Sequence, residues 1–94
     1  MTLYLLHVKS RPAPSGNHFT DYKCGCWDIW VVDTSKQNAE RRSLKHINDS
    51  GWEATAPSEI SVARRENHEP DPKLLEKFLT AEQFGIATRL QFCD

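Results

Sequence analysis

Glycine is scarce: four residues in 94, none close to another. No phosphate-cradling loop can be assembled from them, and no G-x-S-x-G, H-E-x-x-H or calcium-loop spacing occurs anywhere in the chain. No apolar run approaches the length of a membrane span. Charge of one sign is also lacking. A net charge of −1 and a pI near 6.4 provide no global field to draw nucleic acid or anionic membrane. The start of the chain, residues 1 to 8, is too short and too uncharged for a signal peptide. Cysteine is limited to three residues, an odd number without framework spacing. That argues against a disulfide scaffold and for a reducing, cytoplasmic setting. Apolar residues make up 38% of the chain against 27% charged. A core must therefore rest on a few large side chains, chiefly three Trp and four Phe, within one domain covering residues 1–94.

What is present is a repeated grammar of strand, capped helix, glycine stop and new strand. Residues 3 to 9 alternate Leu3/Leu5/His7 with Tyr4/Leu6/Val8, a strand apolar on both sides. Residues 10–25, with Pro12, Pro14, Gly16 and Gly25, read as a long loop of the kind that is functional or mobile. Residues 26 to 33 form a second strand, Trp27/Ile29/Val31 on one face and Asp28/Trp30/Val32 on the other, too apolar for a strand wetted on one side. Thr34 and Gln37 have capping-box spacing at the start of a first helix. Ala39, Ser43, Leu44 and Ile47 make its thin buried stripe, and Gly51 ends it. Asp71 and Pro72 begin a second helix. Its stripe of Leu74, Leu75, Phe78, Leu79 and Ala81 is expected to supply the larger share of the core before Gly85 closes it.

Between the helices, Trp52, Ala54, Ala56, Ile60 and Val62 share one parity. A hairpin turning at Pro57 satisfies this pattern, and so does a single strand bent there. The hairpin predicts an α+β two-layer sandwich, ferredoxin-like βαββαβ behind an extra N-terminal strand. The bent strand predicts ββαβαβ with a mixed sheet. The ferredoxin-like order is the expectation. The run from Trp27 to Ser35, the Gly51-Trp52 restart and the Asp71-Pro72 helix ending at Gly85 resemble a diffuse group of short bacterial and phage-type α+β proteins of unassigned function. The resemblance spans residues 26 to 92 and rests on structural punctuation, so it implies no activity and no site.

Two candidate sites stand out. His18, Cys24, Cys26 and Cys93 combine imidazole with thiols, a donor set suited to zinc, although C-x-C is tighter than the spacing of ordinary structural zinc sites. The plainer alternative is three free thiols, with Cys26 partly buried. If both helices pack on one side of the sheet, the other side presents Leu5, His7, Trp30 and Val32 as an apolar patch with polar neighbours, a binding surface for a protein partner or for a second copy in a homodimer. If the 10–25 loop folds over that side instead, the patch is ordinary core. A sheet that stacks RNA bases would need an aromatic-rich strand signature, which is missing, and the basic residues Arg41, Arg42 and Lys45 fall on a solvated helix face. Nucleic acid is therefore not the expected partner. His46 and Arg42 read as helix-surface residues and His68 as a loop residue. The reading as a whole is a non-enzymatic interaction domain without a cofactor, the metal or thiol site being the alternative.

Overall fold

The computed structural model describes residues 1–14 and 24–93. Strands β1 (Thr2–Pro12) and β2 (Cys24–Asp33) are followed by helix α1 (Lys36–Asp49), strands β3 (Trp52–Ala54) and β4 (Glu59–Val62), and a single 3-10 turn at Arg65–Asn67. Helix α2 (Pro72–Phe84) and strand β5 (Ile86–Cys93) complete the order. Residues 10 to 12 and 24 to 25, expected in the loop, extend the two strands instead.

The result is a small α+β fold with a five-stranded antiparallel sheet and two helices. β1 pairs with β2 from Thr2↔Asp33 to Ser10↔Gly25, and β5 lies on the far side of β2 from Val31↔Ile86 to Cys24↔Cys93. Both β3 and β4 pair with the outer edge of β1. The ferredoxin-like hairpin is thus corrected: among the described residues β3 and β4 share no ladder with each other. The mixed sheet is corrected too, since every pairing is antiparallel.

A strand bent at Pro57 is what forms. Ala54 faces Ser10 and Glu59 faces His7, so five steps along this strand span three along β1 and two residues bulge out. Proline cannot donate to a ladder and is tolerated where an edge strand breaks. An even insertion preserves parity, which keeps Trp52 and Ile60 in the same core.

The helices take opposite faces of the sheet. Ala39 and Ile47 of α1 pack with Tyr4, Leu6, Val8, Trp27, Ile29, Val31 and Trp52. Ala81 and Leu74 of α2 pack with Trp30, Ala87, Leu3 and Leu5. The sheet is therefore the middle of three layers, not one side of a two-layer sandwich. A strand pair apolar on both faces needs cover on both. The larger core lies under α1, contrary to the expectation for α2, because the wide side chains of β1, β2 and β3 point that way. In α2 only Phe78 and Ala81 are buried, and Leu79 is 40% exposed.

The helix ends follow local chemistry. Ser35, not Thr34, is the N-cap of α1, its hydroxyl accepting from the Asn38 N–H at 3.1 Å. Asp71 caps α2 by accepting from the N–H of Lys73 and Leu74, with Pro72 at the first helical position. Gly51 and Gly85, at φ of 87° and 90°, take the left-handed conformation that stops each helix.

Candidate functional site

Helix α2 covers one end of its face of the sheet, and among the described residues no helix covers the other end. Leu5, Trp30 and Ala87 lie under the helix. Beyond them, one row crosses four strands in register: Glu59 beside His7, His7 beside Asp28, Asp28 beside Arg89. The next row brings Lys9, Cys26 and Gln91 together, all three exposed.

Asp28 is the centre of the first row. It is only 7% exposed, so its side-chain oxygens need hydrogen-bond partners in place of water. His7 Nδ1 donates to Oδ1. Arg89 donates to Oδ2 from Nε at 2.9 Å and from Nη2 at 2.5 Å. Nδ1 of the imidazole is committed to Asp28, and the His7 side chain is about half exposed. The Arg89 guanidinium also lies 5.9 Å from the centre of the Trp30 ring.

Trp30 carries the network inward. Its Nε1 donates to His68 Nε2 at 3.0 Å, and His68 Nδ1 donates to the Arg64 carbonyl at 2.7 Å. The indole can only donate and the carbonyl can only accept, so both bonds are satisfied by a ring carrying its proton on Nδ1. His68 is 4% exposed and packs 5.0 Å from the Phe78 ring, centroid to centroid. It lies in the connection before α2, as expected of a loop residue, but is a buried anchor there.

Two clefts flank the row. One, of about 280 Å³, lies beside α2 and is lined by Leu5, His7, Trp30, Arg64, Leu74 and Arg89 among others. The second, of about 300 Å³, opens at the bulge in the edge strand, against Lys9, Cys26, Ala56, Pro57 and Glu59. His7 and Asp28 line both. The chain matches no protein-family model, no curated protein and no solved structure. What the site does must be argued from its own geometry.

The structure rearranges the expected sites. Leu5, His7 and Trp30 do meet, but in a walled cleft: Trp30 is 1% exposed, and α2 covers it. Val32 is half-buried and lines neither cleft. Trp30 is therefore not the centre of an open apolar patch, because α2 covers it. Among the described residues, the exposed large apolar side chains are instead Val62, Leu79, Phe84 and Phe92, together with Met1.

Of the metal set, His18 lies outside the described residues. Cys24 is disulfide-bonded and Cys26 is a free, exposed thiol. This corrects the expectation of three free thiols with Cys26 partly buried. Among the described residues no group of three or more His, Cys, Asp and Glu could hold a metal ion. No described helix is long and apolar enough to cross a membrane.

Sequence reasoning missed His68, Arg64 and the pairing of His7, Asp28 and Arg89. Parity placed these last three on one face, but only register makes them neighbours. His46 and Arg42 are more than surface residues. His46 meets Trp27 edge-on at 5.7 Å, and Arg42 Nη1 donates to the Val32 carbonyl at 2.8 Å.

Proposed function

We propose that this chain is a small binding domain that takes an extended, acidic segment of a partner protein along β4 and into the cleft beside α2. The reading is carried by one observation. The cleft beside Leu5, Trp30 and Leu74 is lined by two arginines, Arg64 and Arg89, against a single carboxylate, Asp28, which His7 and Arg89 already pair. A surplus of donors over a hydrophobic base suits a side chain with an apolar stem and a carboxylate end. β4 is a short exposed edge strand, and Ser61 and Val62 from it line the same cleft. An extended segment that adds to such an edge gains main-chain hydrogen bonds and drops alternate side chains into the cleft. Catalysis is not needed to account for this arrangement, and no cofactor enters it.

The test is a ¹H–¹⁵N titration with short peptides that alternate Val and Glu, compared with Lys-containing controls. Shifts should concentrate at β4, His7, Arg64 and Arg89, and weaken with added salt. Arg64→Glu should reduce affinity about tenfold or more, since a hydrogen bond to a charged group contributes about 1.5–3 kcal/mol. Shifts confined to other surfaces, or equal binding of the Lys peptides, would rule the reading out. Light scattering that shows a dimer dissolved by Arg64→Glu would identify the partner as a second copy of the chain.

A further inference from the structure

We propose that His68 is a proton-operated latch on the cleft beside α2. A proton on its Nε2 releases the connection between β4 and α2 and opens that wall of the cleft. Three observations converge here. Among the described residues from Arg64 to Asp71, His68 is buried, at 4% exposed, and all the others are exposed. A titratable ring thus anchors this connection to the fold. Both of its nitrogens are in use, Nε2 accepting from Trp30 Nε1 at 3.0 Å and Nδ1 donating to the Arg64 carbonyl at 2.7 Å. The ring also lines the cleft, beside Arg64 and Asn67 of the same connection.

The two partners fix what the ring can do. The indole Nε1 only donates, so it bonds only to an Nε2 that carries no proton. An imidazolium donates from both nitrogens, and its Nε2–H would meet the Trp30 N–H across 3.0 Å with no acceptor between them. A proton on Nε2 and the Trp30 bond are therefore mutually exclusive. The charged groups around the ring reinforce this. Arg89 of β5 and Arg64 bring positive charge to the same cleft, and Asp28 of β2 is held by Arg89 and by His7 of β1. From α2 the ring meets Phe78, and Leu74 lines the cleft, neither of them an acceptor. In the connection itself Glu66 is exposed, and Glu69 is paired with Arg65 at 3.4 Å.

The charged ring finds acceptors in water by turning out of its site. That gives up the Trp30 bond and the packing on Phe78, 5.0 Å between ring centres. With the anchor gone, Arg64 and Asn67 leave the cleft wall, while the strands beneath stay paired through their own ladders. Where the cleft takes an acidic segment, a consequence that rests on the function proposed above, acidification moves Arg64 and changes the affinity.

Spectra of the free protein, ¹H–¹⁵N, recorded in steps from about pH 8 to about pH 5, test the latch. At the upper end His68 should show a bare Nε2 and a proton on Nδ1. On acidification the Trp30 indole signal, the His68 ring and the backbone amides of Arg64 to Glu69 should shift with one common midpoint. His68→Gln offers the indole an acceptor that takes no proton in this range, and should hold the Trp30 signal fixed throughout. Near-UV circular dichroism identifies a variant that has lost its packing, and the wild-type titration does not depend on it. A His68 ring that gains its proton while the Trp30 signal stays still overturns the proposal. So does a Trp30 signal that follows the His7 ring instead, or one that never moves. Because no peptide is present, failure here leaves the proposed function standing, and failure of the peptide titration leaves the latch standing.

Discussion

Gly25 is a glycine because there is no space for anything larger. A Cβ at this position would lie 2.8 Å from Leu90 Cδ1 and 2.8 Å from Trp52 Cζ3. Trp52 is 1% exposed and fixed in the α1-side core, so its ring has nowhere to go. Gly25 also accepts a hydrogen bond from the Ser10 hydroxyl at 2.9 Å, which ties this part of β2 to β1. Gly25→Ala should therefore destabilise the domain by about 1–3 kcal/mol, the usual cost of overpacking. A urea melt that shifts by less than about 0.5 kcal/mol would mean that the indole gives way after all. Nothing near Gly25 in the sequence signals this constraint, because Trp52 is 27 residues away and meets Gly25 only through the fold.

At the scale of elements, the β2–α1 junction is built on Asp33. Its carboxylate accepts from the Thr34 N–H at 2.7 Å, the Thr34 hydroxyl at 3.2 Å and Arg42 Nη1 at 3.2 Å. The Thr34 N–H is the main influence holding this carboxyl below its ordinary range, with Arg42 assisting and burial opposing. A carboxyl lowered on folding contributes stability that is fully present above the unfolded value. That stability is lost as pH falls through the folded one, so the window lies at and below about pH 4. Asp33→Asn should thus lower stability at neutral pH and make the decline below about pH 4 shallower than in the wild type. Parallel acid-unfolding curves for the two proteins would show that Asp33 is not coupled to folding. The junction also explains the displaced helix start. With Asp33 bound to the Thr34 N–H, Ser35 is left to cap α1.

At the scale of the whole molecule, the two cores share the same strands. Trp30 under α2 and Trp27, Ile29 and Val31 under α1 all belong to β2, so neither side can open without loosening the other. Phe78 is 6% exposed and packs against His68, which receives the Trp30 hydrogen bond. Phe78→Ala should cost about 3–5 kcal/mol through the cavity it leaves. In a domain of this size that approaches the whole stability. Unfolding followed by tryptophan fluorescence and by far-UV circular dichroism should nevertheless remain one coincident transition. An early fluorescence change while the α1 side stays folded would separate the layers and contradict the shared-sheet argument.

The elements were legible in the residues because their signals are local. Asp71-Pro72 starts α2, Gly51 and Gly85 stop the helices, and the alternating faces of β1 and β2 appear as read. The bend at Pro57 was one of two readings that parity allowed equally. Only pairing with β1 separated them, since a two-residue bulge and a hairpin leave the same residues on the same side. Helix placement is likewise non-local. Periodicity shows that α1 and α2 each have an apolar stripe, but not which face of the sheet each covers. The candidate site inherited that gap. His7, Asp28 and Arg89 were on one face by alternation, yet the ion-paired row exists only because register aligns three strands drawn from both ends of the chain. Local chemistry therefore set where each helix and strand begins and ends. The cleft, the burial of Trp30 and the cysteine arrangement were decided by the tertiary structure, because each depends on residues that sequence distance cannot bring together.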